Sequence, residues 1–206
     1  MKVIGITGGS GSGKTSVLRM MERLGCFAVD ADEVYHKLLV SDKILLNGIK
    51  EYFPEAFDGD SLNRGKLGYA VFGNDEKLKE LNKITHPRII REINHILDVG
   101  RLHDAPMAVI DATLLIESGV NEICDLVIGV VAPPEVRLAR ILERDRISEE
   151  AARRRVDSQP GSGFYQENCD YIIDNSKDDD SILDKTVGFY DNLVNGKITK
   201  KTSGRE

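Results

Sequence analysis

Apolar residues in this chain fall in short, nearly continuous runs that alternate with longer amphipathic stretches. A run of Val and Ile without polar interruption is typical of a strand that is covered on both faces in a parallel sheet. Such runs predict five strands, at 3–7, 26–29, 108–111, 126–131 and 171–174. Because helical stretches separate the strands, we expect an α/β fold with a parallel five-stranded sheet between two layers of helices.

The helical stretches form two groups. Those at 14–24, 134–145 and 182–194 belong to the core. The interval 32–103 is too long for one crossover, and its apolar spacing predicts four more helices, at 38–52, 64–72, 76–84 and 87–97. We therefore expect a core at 1–31, 104–143 and 165–194, an inserted helical subdomain at 32–103, and a tail at 195–206 that frays.

Composition narrows the class of protein. With 206 residues, of which 41% are hydrophobic and 30% charged, the chain can build a folded domain. Its net charge of −6 argues against general nucleic-acid binding, which needs a basic face. Its apolar runs are too short for a membrane span, and its N-terminus does not read as a signal peptide. Cys26, Cys124 and Cys169 lack metal-ligand spacing, so we expect reduced thiols in a cytoplasmic protein.

Residues 8–15 directly follow the first predicted strand and match the P-loop pattern G-x-x-x-x-G-K-[ST]. The glycines let backbone N–H groups turn inward onto phosphate oxygens at the positive end of a helix. Lys14 can then reach the β- and γ-phosphates, and the Thr15 hydroxyl is placed to bind Mg²⁺. The alternative, a flexible Gly/Ser turn, is disfavoured by the strand before the loop and the helix after it. We therefore predict a site for a nucleoside triphosphate.

Two carboxylates, Asp30 and Asp32, follow the second strand at the sheet edge where open α/β folds bind ligands. They are two positions apart, so an extended chain would place them on one face. Asp32 above all is a candidate to accept a proton from an acceptor hydroxyl or to hold Mg²⁺ through water. The alternative is that Asp32 caps a helix that begins at Glu33.

Three further polar positions are less specific. Asp111 ends an apolar strand, as a carboxylate near Mg²⁺ would, although buried strands often end in Asp without function. Glu117 is either a surface acid or a contact to the substrate. His86 either touches the substrate or merely precedes Pro87 at the head of a helix.

Arginines recur every three or four residues in the helix predicted at 134–145. Arg137, Arg140 and Arg144 share one face, where they either form a solvated stripe paired with glutamates or neutralise a transferring phosphoryl group. The segment 144–164, with arginines at 153–155 and glycines at 161 and 163, is predicted to be a mobile lid.

Taken in order, these residues resemble the dephospho-coenzyme A kinase family over nearly the whole chain. Besides the P-loop, the resemblance rests on Asp30-Ala31-Asp32, Arg64-x-x-Leu67, His86-Pro87, Leu114-Leu115-Ile116-Glu117, Arg140, Arg144-Asp145, Gln159 and Ile173-Asp174-Asn175. The chain departs from the family pattern at 111–113, where Asp-Ala-Thr replaces a segment that usually has Pro shortly before Leu-Leu, and at 160–165.

The resemblance implies a P-loop kinase fold with a core, an acceptor-binding helical insertion and a lid. It implies ATP- and Mg²⁺-dependent phosphorylation of the ribose 3′-hydroxyl of dephospho-CoA, which is the last step of coenzyme A biosynthesis. The implied roles are Asp32 as catalytic base, Lys14, Arg140 and Arg144 as cations acting on the transferred phosphoryl group, Gly11, Ser12, Gly13, Lys14, Thr15 and Ser16 as the ATP phosphate loop, Asn175 near adenine, and His86 and Glu117 on the acceptor side. We expect a monomer or a weak homo-oligomer.

Other functions remain open. Kinases of the same fold phosphorylate other nucleosides, nucleotides or sugar-like hydroxyls, and acceptor preference would separate them. A nucleotide-gated switch is disfavoured because residues 82–85, Asn-Lys-Ile-Thr, lack the Asp of a guanine-binding loop. A degenerate scaffold is disfavoured because Lys14, Thr15, Asp32 and the arginines occur together.

Overall fold

The computed structural model describes residues 1–177 and 181–201. Its strands are β1 (Lys2–Thr7), β2 (Phe27–Asp30), β3 (Phe57–Asp58), β4 (Ser61–Leu62), β5 (Met107–Asp111), β6 (Leu126–Val131) and β7 (Tyr171–Asp174). Its helices are α1 (Lys14–Arg23), α2 (Ala31–Ser41), α3 (Lys43–Tyr52), α4 (Arg64–Val71), α5 (Asp75–Leu102), α6 (Pro134–Asp145), α7 (Glu149–Asp157), α8 (Ser162–Asn168) and α9 (Ser181–Val194). Within these ranges no helix is long and apolar enough to cross a bilayer.

Five parallel strands form the central sheet in the order β2-β5-β1-β6-β7. The strands predicted from apolar runs are confirmed to within one residue at each end, because uninterrupted Val and Ile residues are stable only where both faces of a strand are covered. In β1, Ile4 and Ile6 pack with Val17 of α1 and Phe189 of α9. The opposite face of the sheet packs against α2 and α5 in a separate cluster. The predicted three-layer α/β fold is therefore confirmed.

The carboxyl ends of β1, β2 and β5 meet at one edge of the sheet, because the three strands are parallel neighbours. Thr7, Asp30 and Asp111 are their last residues. This edge is where an open α/β sheet binds its ligands.

The helix predicted at 38–52 is wrong as a single element. The structure has α2 and α3, divided at Asp42, whose backbone is extended with φ −84° and ψ 99°. Oδ1 of Asp42 accepts hydrogen bonds from the N–H groups of Ile44 at 2.9 Å and Leu45 at 3.0 Å. Asp42 therefore caps a new helix, and this capping outweighs the apolar periodicity that runs across it.

The break predicted between 84 and 87 is also wrong, because α5 continues through Pro87. Pro87 cannot donate a hydrogen bond to the carbonyl of Lys83, which weakens the helix locally. A buried stripe nevertheless runs along α5 with a residue at every fourth position, and it includes Leu81, Thr85, Ile89, Ile93 and Leu97. Packing of this stripe against the core stabilises the helix across the proline.

The subdomain predicted at 32–103 contains α2 to α5 and a short hairpin of β3 and β4, which the sequence analysis did not predict. The lid predicted at 144–164 contains α7, and the boundaries at 143 and 164 fall inside α6 and α8. Helices α6 and α7 share a small apolar cluster of their own, formed by Leu138, Ile141, Ala152 and Val156. The predicted lid segment is thus packed onto the end of α6.

The tail is not frayed between 195 and 201. Ile198 packs against the apolar cluster that contains Phe189. Nζ of Lys200 donates to the carbonyl of Cys124 at 2.8 Å, and the N–H of Lys201 donates to Asp170 at 2.7 Å. The expectation of fraying is wrong for this part, since one apolar side chain and a few hydrogen bonds fix it without any periodicity. Residues 202–206 lie outside the described ranges.

Candidate active site

The loop between β1 and α1 surrounds a cavity of about 440 Å³. Gly11 has φ +78° and Gly13 has φ +101°, and both values lie in the region that favours glycine. A Cβ atom on Gly11 would lie 2.5 Å from the carbonyl oxygen of Arg137. The cavity is lined by Gly8, Gly9, Ser10, Gly11, Gly13, Lys14, Thr15, Ser16, Arg19, Thr113, Arg140 and Arg144. The structure therefore brings the predicted phosphate loop and both predicted arginines to one cavity.

Two residues that were predicted to bind the nucleotide, Ser12 and Asn175, are buried away from the cavity. Ser12 is 1% exposed and Asn175 is 5% exposed, and neither is among the described residues that line the cavity. Nδ2 of Asn175 donates to the carbonyl of Ser12 at 2.8 Å. The Asn175 side chain thus fixes the backbone of the loop, and its role near adenine stays a prediction.

A buried arginine fastens the tip of the loop to α6 and to the segment after α7. Arg137 is 5% exposed, and its Nε donates to the carbonyl of Ser10 at 2.9 Å. Its Nη2 donates to Oε1 of Gln159 at 2.6 Å, and the same oxygen accepts from the N–H of Ser10 at 2.8 Å. Burial lowers the pKa of Arg137, although the group stays protonated near neutral pH. The tip of the loop is therefore held by side chains that are distant in sequence.

Lys14 and Asp111 form an ion pair inside the site. The side chains are 14% and 13% exposed. Burial raises the pKa of the Asp111 carboxyl, the Lys14 ammonium acts against this, and the charges of Asp30 and Asp32 raise it further. Asp30 and Asp111 are register partners at the ends of β2 and β5, so both belong to the same edge of the sheet.

Asp30 and Asp32 have different roles, although the sequence analysis placed them on one face of an extended chain. Asp30 ends β2 and caps α2, with Oδ1 accepting from the N–H of Glu33 at 2.8 Å. The suggested capping role of Asp32 is therefore wrong, because the helix begins at Ala31, two residues earlier than expected. Oδ2 of Asp32 instead accepts from the N–H of Thr113 at 3.3 Å and from its hydroxyl at 3.0 Å. Asp32 is not among the described residues that line the cavity, but it contacts Thr113, which is.

Arg140 and Arg144 reach the cavity from α6. Nη1 of Arg140 donates to the carbonyl of Asn175 at 3.1 Å, and its Nη2 donates to that of Lys177 at 3.1 Å. Arg144 forms a forked contact with Asp145, at 2.6 Å and 3.1 Å, and this hydrogen bonding raises its pKa. Arg137 and Arg140 contact the phosphate loop from this face of α6, whereas the Arg144 side chain is 59% exposed and pairs with Asp145.

The arginines at 153–155 are all engaged in ion pairs outside this cavity. Arg153 pairs with Glu149 at 2.9 Å, Arg154 pairs with Glu150, and Arg155 pairs with Asp145 at 2.5 Å. We therefore interpret Arg153, Arg154 and Arg155 as solvated side chains in ion pairs.

His86 and Glu117 are not among the described residues that line the cavity. His86 borders a separate surface depression on α5 with Lys79, Asn82, Lys83 and Pro87, and burial lowers its pKa. Glu117 is exposed and lies in the turns after β5. Their acceptor-side roles stay predictions.

The site combines a cavity lined by cationic side chains with a carboxylate beside it. Lys14, Arg19, Arg140 and Arg144 supply four cationic side chains, and the start of α1 adds its dipole. Asp32 lies beside the cavity with one carboxylate oxygen hydrogen-bonded. A polyphosphate in the cavity and a hydroxyl against Asp32 would be the reactants of a phosphoryl transfer.

Four residues of this site were not assigned from the sequence: Arg19, Thr113, Arg137 and Gln159. Arg137 carried a signal in its helical spacing from Arg140 and Arg144, and Gln159 was among the residues that carry the family resemblance, without an assigned role. Gln159 and Thr113 act through contacts with Ser10 and Asp32 that span 149 and 81 positions. Local patterns hold no information at that separation.

Comparisons with known proteins agree with this geometry. The sequence model of the dephospho-CoA kinase family matches residues 2–180. The dephospho-CoA kinase of Corynebacterium jeikeium is 36% identical over 94% of this chain and 100% of its own length.

Solved structures give the same result. The dephospho-CoA kinase from Campylobacter jejuni superimposes with a TM-score of 0.67 at 28% identity, covering 96% of this chain and 100% of that chain. A shikimate kinase from Acinetobacter baumannii has a TM-score of 0.52 at 18% identity, covering 96% of this chain and 95% of that chain. The second likeness concerns the fold alone, which is thus shared by kinases that have different acceptors.

Proposed function

The chain belongs to the dephospho-CoA kinase family, and from that premise we propose how its residues move a phosphoryl group from ATP to the ribose 3′-hydroxyl of dephospho-CoA. The family membership makes the protein a kinase that acts in coenzyme A biosynthesis. The observation that supports the proposed mechanism is the contact of the Asp32 carboxylate with Thr113, a residue that lines the cavity at the phosphate loop.

The phosphate loop and the arginines bind the donor. Backbone N–H groups of residues 11–16 and the ammonium of Lys14 hold the β- and γ-phosphates, and Lys14 exchanges Asp111 for phosphate oxygens as ATP enters. Arg140 and Arg144 neutralise the charge that spreads over the transferred group. Closure of the segment 144–164 excludes water, which would otherwise hydrolyse ATP.

Asp32 receives the proton of the acceptor. As the 3′-oxygen bonds to the γ-phosphorus and the bond from that phosphorus to the β-phosphate oxygen of ADP breaks, the hydroxyl proton passes to Asp32. Both hydrogen bonds from Thr113 end on Oδ2 of Asp32. None of the described residues donates to Oδ1, so this oxygen is left for the 3′-hydroxyl of the acceptor. His86 and Glu117 are proposed contacts of the acceptor, and Asn175 a proposed neighbour of adenine.

The residues around Lys14 fit a magnesium ion carried by the nucleotide. Thr15 offers a hydroxyl and Asp111 a carboxylate, and Mg²⁺ prefers such oxygen ligands. No group of three His, Cys, Asp or Glu side chains in the described ranges could hold a metal by itself. Mg²⁺ is commonly bound by one or two protein oxygens together with phosphates and water. When bound, the ion neutralises charge on the β- and γ-phosphates.

We also propose a cytoplasmic protein that is a monomer or a weak homo-oligomer and that does not bind nucleic acid. Cys26, Cys124 and Cys169 support the proposed cytoplasmic location. They are buried free thiols, and burial raises the pKa of Cys26 to about 11. Thiols of this kind are typical of a reducing compartment.

A coupled assay of ADP release tests the proposed function. Release is measured with ATP and Mg²⁺, alone and with dephospho-CoA, adenosine, AMP or shikimate, and the product is identified by mass spectrometry. We expect release that depends on dephospho-CoA, with CoA as the product, and loss of activity in EDTA that added Mg²⁺ restores. Release with another acceptor would contradict the proposed substrate. Activity that persists in EDTA would contradict the proposed requirement for Mg²⁺.

A further inference from the structure

Thr113 lies two residues beyond β5, between the phosphate cavity and Asp32. It lines the cavity, and it donates two hydrogen bonds to one oxygen of the Asp32 carboxylate. One comes from the backbone N–H at 3.3 Å and the other from the hydroxyl at 3.0 Å. One residue therefore touches both the donor cavity and the proposed base.

The backbone around Thr113 is itself fixed to the strand that carries the phosphate loop. The carbonyl of Thr113 accepts a hydrogen bond from the hydroxyl of Thr7 at 3.3 Å, and Thr7 is 1% exposed at the end of β1. The N–H of Ala112 donates to the carbonyl of Ile6 at 3.2 Å. A continuous chain of hydrogen bonds thus runs from β1 through Thr113 to Asp32.

Asp32 depends on such support because of where it lies. It is exposed and occupies the first turn of α2, at the junction between the sheet and the helical subdomain. An exposed carboxylate rotates freely, whereas phosphoryl transfer requires the reacting oxygen to be held within a fraction of an ångström. Hydrogen bonds to a carboxylate are strong enough to select one orientation.

We infer that Thr113 is a positioning residue, whose hydroxyl holds the Asp32 carboxylate in register with the phosphate loop so that acceptor and donor meet in line. This inference rests on the proposed role of Asp32 as the base. It assigns Thr113 an effect on turnover and no part in the affinity for ATP, although the residue lines the cavity.

The test compares Thr113→Val, which keeps the shape and the N–H but loses the hydroxyl, with Thr113→Ser, which keeps the hydroxyl. We expect Thr113→Val to lower kcat about tenfold, as for loss of one charged hydrogen bond, with KM for ATP changed less than about twofold. Thr113→Ser should restore most of kcat. Thermal unfolding followed by circular dichroism shows that each variant is folded.

A double-mutant cycle with Asp32→Asn completes the test. If Thr113 acts through Asp32, Thr113→Val should have little further effect on the residual kcat of Asp32→Asn. The inference is overturned, and the base assignment kept, if Asp32→Asn loses turnover while Thr113→Val does not. It is also overturned if Thr113→Val raises KM for ATP alone, or if the effects on kcat multiply. Turnover like that of the wild type in Asp32→Asn would instead overturn the proposed base.

Discussion

Single residues at this site differ in role according to their hydrogen bonds rather than their type. Asp30 and Asp32 are both carboxylates, but the first caps a helix and the second lies against Thr113 at the cavity. Lys14 and Asp111 neutralise each other, while burial raises the pKa of the Asp111 carboxyl.

The two aspartates make a matched pair of variants at the residue scale. Asp32→Asn should lower kcat by at least about a hundredfold, because an amide cannot accept the proton of the acceptor. Asp30→Asn makes the same charge change two positions away and should keep turnover and stability, because Asn caps helices as well as Asp does. Steady-state kinetics and urea denaturation check both. Equal losses of kcat in the two variants would contradict the division of roles.

At the scale of elements, capping and packing decide where helices begin and end. Asp42 separates α2 from α3, and it also pairs with Arg88 of α5 at 2.5 Å. Its side chain is 8% exposed. Burial acts to raise the pKa of Asp42, but hydrogen bonds from the Leu45 N–H and Arg88 outweigh this, so the pKa lies below its ordinary value of 3.8. One carboxylate thus links three helices of the insertion.

Replacement of Asp42 should reduce stability in a manner that depends on pH. Asp42→Ala loses a helix cap and an ion pair, so we expect the free energy of unfolding to fall by about 2 kcal/mol near pH 7. Because the pKa is lower in the folded than in the unfolded chain, the stabilisation is complete above the unfolded value and is lost as pH falls through the folded one. Urea denaturation should show the difference from wild type shrinking below about pH 4.

The control for this prediction is Asp42→Asn, which keeps the cap and loses the charge. Its stability near neutral pH should lie between those of the wild type and Asp42→Ala. A difference between wild type and Asp42→Ala that does not change with pH would show that the carboxylate charge contributes nothing.

At the scale of the whole molecule, the phosphate loop is shaped by contacts with distant segments. Arg137 of α6 and Gln159 hold Ser10, and Asn175 holds Ser12. The backbone of Arg137 also lies so close to Gly11 that a side chain has no room there. The loop is therefore hydrogen-bonded to α6 and to Gln159, which lies in the segment predicted to be a lid.

A comparison of two glycines with positive φ, Gly11 and Gly59, distinguishes the effect of this packing from the effect of backbone strain. Gly11→Ala should place a Cβ 2.5 Å from the Arg137 carbonyl oxygen, displace the loop and weaken ATP binding at least about tenfold. Gly59 has φ +65° in the hairpin, and a Cβ atom there would meet no atom of the described residues within 4 Å. Gly59→Ala should therefore lower the free energy of unfolding by about 1 kcal/mol and leave ATP affinity unchanged. Calorimetric titration with ATP compares them, and equal affinities would contradict the packing argument.

Local sequence is sufficient to specify the sheet and the phosphate loop. Both depend on properties of short segments: apolar runs such as 126–131 need cover on two faces, and the glycines of the loop permit backbone angles that other residues avoid. The family resemblance pointed to Asp32, Arg140 and Arg144; the two arginines line the cavity, and Asp32 contacts Thr113, which also lines it.

Long-range contacts, in contrast, settle how the site is held together. The contacts of Asp32 with Thr113, of Arg137 with Ser10 and of Gln159 with Ser10 span 81, 127 and 149 positions. Packing of a buried stripe carries α5 through Pro87, and a cap at Asp42 divides a continuous periodic stretch. Local propensity is a small free energy that burial and hydrogen bonding override, so such contacts are established only when the whole chain is folded.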